Sequence, residues 1–210
     1  MDTTVILLTV FVAWLMLRTR YQRARIALLG GHLSNLQLER HMETLTQGYT
    51  RAIREESETR QLQVLDNFAQ TERAVAAQAQ SLAEAMQKED RQAASIGALS
   101  FCVPYIERFL PAMTRDFRKL LHIHADGLRH LVDNADELDS KTRAYHLSAE
   151  LYLLQHSCHW FCKSRAVADA RLVLRHQVDH KKVLSSVSTA TRTAYLKWLE
   201  NAQATSRSEQ

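Results

Sequence analysis

Apolar positions along the chain fall into three kinds of pattern. The first is an unbroken run, Thr3–Leu17 (TTVILLTVFVAWLML), which has no charged side chain and is followed at once by Arg18, Arg20, Arg23 and Arg25. The second is a series of stripes at spacings of three and four, the mark of one helix face. They pass through Ile26, Leu29, Leu33 and Leu36, then Met42, Leu45 and Tyr49. A longer seam of heptad character follows in Leu65, Phe68, Glu72, Val75, Ala79, Leu82 and Met86. The third kind lies beyond Pro111, where broader amphipathic stripes run from Met113 to Leu131 and from Ala144 to Arg165. No segment alternates with a period of two between turn residues, so the pattern predicts an all-α chain.

These stripes imply an order of elements. A long helix from Ile26 to Asp90, interrupted near Gly30-Gly31 or Gly48, is expected either to pair with a second copy or to pack on its own C-terminal half. Unbroken, it would reach on the order of 100 Å. Its seam is imperfect, because Glu72 puts a charge at a core position. The apolar stretch Ile96–Pro111 holds both prolines, Pro104 and Pro111, and suits a junction. A helix over about 112–138 follows, then a turn and N-cap at Asp139-Ser140. The next helix follows Ala144, Leu147, Leu151, Leu154, Cys158 and Phe161 toward Leu172, and a last one is capped by Ser188 and carries Tyr195, Trp198 and Leu199. The expected architecture is a single N-terminal transmembrane helix, a long helical or coiled-coil stalk and a C-terminal antiparallel helical bundle. The divisions fall at 1–25, 26–95, 96–202 and a polar tail, 203–210.

The run at residues 3–17 decides where the chain sits. At about 1.5 Å per residue it spans roughly 22 Å, short of a hydrocarbon core of about 30 Å. The stems of Arg18 and Arg20 extend it by snorkelling, and Tyr21 suits headgroup depth. A cleaved secretory signal would need a basic n-region and a small-x-small site, whereas here Asp2 is the only charge before the run and Leu-Arg-Thr-Arg follows it. With every nearby arginine after the span, the positive-inside rule puts the N-terminus outside and the remainder in the cytoplasm, as a single-pass inner (plasma) membrane protein.

Charge adds less than it first suggests. The chain of 210 residues has a net charge of +4, and residues 1–25 supply four Arg against one Asp. The basicity is therefore mostly membrane flank, where each Arg near an anionic leaflet contributes about 1 kcal/mol. Glu39–Asp90 holds ten acids and six bases, and Lys163–Gln210 nine bases and four acids. The C-terminal surplus reads as a solvated helix face, and nucleic acid is not the expected partner even though Trp160, Phe161, Tyr195 and Trp198 lie near it. Cys102, Cys158 and Cys162 are odd in number and irregularly spaced, as for reduced cytosolic thiols.

Of ten histidines, eight fall from His122 onward. The densest group is His156, Cys158, His159 and Cys162, where two or three side chains one turn apart offer soft ligands for zinc. Against a metal, Cys158 lies on the apolar stripe, and neither C-x-x-C nor H-E-x-x-H occurs. His122, His124 and Asp126 offer acid–base groups, but His124 falls on the core stripe. Gly-rich phosphate loops, nucleophile elbows and kinase motifs are absent. The expectation is a membrane-anchored helical scaffold or adaptor that holds a protein partner, or its own copies as a homo-oligomer, without a cofactor. The alternatives are a tethered metal or redox sensor built on residues 156–162, and a helical enzyme with a scattered histidine–carboxylate site.

Overall fold

The structure is a computed structural model, and it describes residues 3–200. The chain's first two residues, the last two of the expected bundle and the polar tail 203–210 lie outside the described residues. Helix α1 (Thr3–Leu33) is one unbroken element that carries the apolar run into the folded part. It runs without interruption through Gly30 and Gly31, and a Cβ at either would meet nothing within 4 Å, so neither is a packing spot among the described residues. Among the described residues α1 alone is long and apolar enough to cross a membrane, and its apolar window is 0% buried by the rest of the chain.

Three shorter helices occupy the region expected as a stalk: α2 (Leu38–Ile53), α3 (Glu58–Asp66) and α4 (Ala69–Gln87). Two three-residue strands, β1 (Ser95–Gly97) and β2 (Thr114–Asp116), pair antiparallel with Ile96 opposite Arg115. Between them lie a short helix, α5 (Ile106–Phe109), and a 3-10 turn at Pro111–Met113. The C-terminal half then supplies α6 (Phe117–Val132), α7 (Ser140–Cys162), α8 (Arg165–His176), α9 (His180–Ser186) and α10 (Thr189–Glu200).

The heptad seam is an intramolecular one, and no rod projects. Helix α4 packs along α6, and α7 lies centrally, touching α1, α2, α3, α6, α8 and α9. Leu65, Val75, Ala79, Leu82 and Met86 are all buried in one core that also takes in Phe117, Leu120, Leu128, Leu151 and Phe161. Glu72 explains how a charge fits that seam. It is 2% exposed, accepts from Tyr49 Oη at 2.5 Å, and pairs with Arg143 Nη1 at 2.6 Å. One carboxylate thus joins α2, α4 and α7, and its hydrogen bonds offset the cost of burying the charge.

Helix α2 also runs unbroken through Gly48. The glycine admits the Phe68 ring, which a Cβ at this position would overlap.

Local capping sets the other boundaries. Asp139 Oδ1 accepts from the backbone N–H of Lys141 and Thr142, each at 3.0 Å, so α7 starts where the sequence placed it. Asp116 caps α6 through the Arg118 N–H at 3.0 Å, which starts that helix at residue 117 rather than near 112. Ser164 caps α8 and splits what the apolar stripe presented as one helix running on toward Leu172. The strands are too short to show alternation. Each is tied down by a tryptophan, with Trp160 Nε1 donating to the Gly97 carbonyl at 3.0 Å and Trp198 Nε1 to the Asp116 carbonyl at 2.9 Å.

Candidate functional site

At the foot of the apolar run, α1 is bound to the rest of the chain by buried polar side chains. Tyr21, Gln22, Arg25 and Leu29 recur at spacings of one, three and four on α1, and all four are buried. Tyr21 Oη donates to Glu107 Oε2 at 2.8 Å, and its ring meets Tyr105 edge to face at 5.1 Å. Gln22 Nε2 donates to the Lys163 carbonyl at 3.4 Å. Arg25 Nη1 donates to the Phe161 carbonyl at 3.1 Å and Nη2 to the Ser95 carbonyl. Its guanidinium carbon lies 4.5 Å from the Tyr21 ring centroid and 4.7 Å from that of Phe161.

Two consequences follow. Phe161 and Lys163 lie at the C-terminal end of α7, where unpaired carbonyls and the negative end of the helix dipole favour a cation. Arg25 therefore closes α7 while its stem and face pack on aromatic rings. Because these contacts begin four residues after Leu17, the folded domain grips α1 within about one turn of the apolar run. Of the four arginines expected as a lipid-facing flank, Arg20 and Arg23 are exposed and Arg18 is half-buried, but Arg25 is a buried structural residue. Tyr21 likewise faces the domain.

Residues 156–162 do not converge. His156 has a fully buried side chain turned to α8, where Nε2 meets Asp169 Oδ1 at 2.7 Å. His159 faces Arg171, 3.2 Å from Nδ1. Burial first, and then the Arg171 charge, pull the His159 ring down to about 4. Burial pushes the Cys162 thiol up to about 11 and raises that of Cys158 further, which disfavours the thiolate needed for a ligand or nucleophile. Among the described residues no three His, Cys, Asp or Glu side chains form a group that could hold a metal ion.

What sequence spacing missed is a polar seam inside the bundle. His156 and His180 pack with ring centroids 4.4 Å apart and planes tilted by 33°, and His180 Nε2 lies 3.1 Å from Tyr195 Oη. His124 Nε2 meets Ser157 Oγ at 2.9 Å. The Nδ1 atoms of His124 and His156 are buried without a partner among the described residues. Burial holds His124 down to about 3 and His180 to about 4, and lowers His156, so the seam is neutral near pH 7. His124 is fully enclosed while Asp126 is exposed, and His124 and His159 have different partners. Beside the seam, Glu150 Oε1 accepts the Ser188 N–H at 3.2 Å, and burial raises its carboxyl to about 7. Trp160, Phe161, Tyr195 and Trp198 are all core residues, so none offers a free face for stacking on a base.

An open groove of about 910 Å³ lies between α2 and the α7–α8 pair. Glu43, Thr46 and Arg51 line one side, and Tyr152, Arg175 and His176 line the other. An exposed pair, Arg175 to Glu43 at 3.3 Å, bridges it. Its lining mixes both charges with a comparable share of apolar surface.

Comparison with protein-family models, curated proteins and solved structures found no match to this chain.

Proposed function

We propose that this chain is a single-pass membrane adaptor whose helical domain is held at a fixed attitude on the cytosolic side of a bacterial inner membrane, with the α2–α8 groove presented to a protein partner. The observation that carries this reading is the grip of the domain on α1 through Tyr21, Gln22 and Arg25. A tether that only confines a domain to the membrane needs a flexible linker. A continuous helix clamped one turn beyond the apolar run controls orientation as well, which matters when a partner must be met at a set height and angle. Arg18, Arg20 and Arg23 supply the basic flank that sets the N-terminus outside.

The test is site-specific photocrosslinking in native membranes from Thr46 in the groove and from Arg129 on the exposed side of α6. The adaptor reading expects one dominant adduct from residue 46 and none from residue 129. An adduct with a second copy of this chain would make the groove a self-assembly surface. Equal, diffuse labelling from both positions would remove the groove from the account. Accessibility of the same positions to a membrane-impermeant label in intact cells tests the side of the membrane, with labelling from outside contradicting it.

A further inference from the structure

The segment between β1 and β2 runs alongside α1 toward the apolar run. Ser95, at its root, accepts from Arg25. Further along, the Cys102 thiol lies close to Gln22 and Arg18, and Phe101 and Cys102 share a small cleft with Tyr21. Tyr105 and Glu107 then meet Tyr21 itself. Tyr105 holds a left-handed backbone conformation, φ 58°, which a bulky residue adopts only when its surroundings fix it. Here the Tyr21 ring and the Arg108 guanidinium, 5.1 Å from the Tyr105 centroid, flank it.

This excursion carries large apolar side chains that no described residue covers. Phe101 is 63% exposed, Phe109 78% and Leu110 56%. They sit on the segment tied to α1 about 6 Å of helix rise beyond Leu17, which is headgroup depth if the run spans the bilayer. Aromatic residues with arginines beside them, at that depth, are the usual composition of a membrane–water interface.

We propose that residues 98–113 form a second membrane contact, in which Phe101, Phe109 and Leu110 enter the boundary between headgroups and acyl chains of the leaflet from which α1 emerges, with Arg18, Arg20 and Arg108 facing anionic phosphates. The inference rests on α1 being a span. Its occupant is the lipid surface, because the loop is continuous with the foot of the apolar run and shares its basic flank. Insertion gives the domain a second point of contact beside α1, so it is held flat against the membrane.

Tryptophan quenching in the full-length protein, reconstituted in bilayers of phosphatidylcholine and phosphatidylglycerol brominated near the headgroup end of the acyl chains, separates the two statements. Trp160 and Trp198 are buried in the domain and give a constant background. Trp14→Phe removes the one tryptophan of the apolar run, and adding Phe109→Trp places one at an exposed loop position that tolerates it. The expected result is loss of a quenched component in Trp14→Phe and its return, comparable in size and blue-shifted, in Trp14→Phe/Phe109→Trp. Quenching of Trp14 without quenching at residue 109 would overturn the loop contact and leave the span standing. Absence of both, or quenching at residue 109 alone, would overturn the span and with it the proposal.

Discussion

The Arg25 guanidinium lies against the Phe161 ring and donates to the Phe161 carbonyl, so one residue of the N-terminal helix closes the end of the central helix of the bundle. The two residues are 136 apart in sequence. This contact, with those of Tyr21 and Gln22, ties the helix that carries the apolar run to the folded domain.

Replacing Arg25 by Gln keeps a donor but loses the charge and one of the two carbonyl contacts. Hydrogen bonds to charged groups contribute about 1.5–3 kcal/mol, so a loss of about 2 kcal/mol in domain stability is expected from denaturant unfolding. The neighbouring exposed Arg23→Gln should change stability by less than about 0.5 kcal/mol.

Glu72 is the most demanding residue of the core. Glu72→Leu leaves Arg143 and the Tyr49 hydroxyl facing an apolar side chain, and breaking a buried pair on one side costs about 3–5 kcal/mol. A Glu72→Leu/Arg143→Leu double variant should recover part of that loss, measured as a higher unfolding midpoint than the single variant.

Gly127 is where α6 admits α10. A Cβ there would overlap Thr191 Oγ1 and lie 3.0 Å from Glu150 Oε2. Gly127→Ala is therefore expected to lower stability by about 1–3 kcal/mol, although alanine is the better helix former. Gain of stability in thermal unfolding would show that α10 does not dock as described.

Acid should loosen the histidine seam. His124, His156, His159 and His180 have ring pKa values held below the ordinary 6.5, so the unfolded chain binds more protons and stability falls as pH drops from 6.5 toward about 4. Glu150 acts in the opposite sense. Its carboxyl is raised from 4.5 to about 7, so the stability linked to its proton is present in full below 4.5 and is lost as pH rises to about 7. The unfolding midpoint should fall on acidification below pH 6.5, and fall more steeply in Glu150→Gln, which lacks the opposing group. An acid-insensitive midpoint would mean that the His124, His156 and His180 rings are not buried as described.

The helical class, the apolar run and the caps at Asp139 and Ser188 were legible because each depends on neighbours within one or two turns. The packing of Cys158, partly buried, against the core followed from its place on an apolar stripe. Glu72 announced itself as an anomaly of the seam, but its partners lie 23 and 71 residues away and nothing local points to them. Arg25 was misread for the same reason. An arginine next to an apolar run has the composition of a lipid flank, and only the fold reveals the carbonyls it caps. For the stalk expected over 26–95, heptad spacing left two partners open, a second copy or the chain's own C-terminal half, because the same spacing serves both, and here α4 packs along α6 of its own chain. His156 and His180 meet across a chain reversal, so the polar seam had no spacing to betray it.

Rigid coupling between the apolar run and the domain is the claim on which the functional account depends, and amide hydrogen exchange of the full-length protein in lipid nanodiscs tests it most directly. Residues 18–33 should exchange as slowly as the core of α6 and α7, with no fast-exchanging break after Leu17. Rapid exchange across residues 18–25, alongside a protected domain, would mean a flexible tether and would contradict the account.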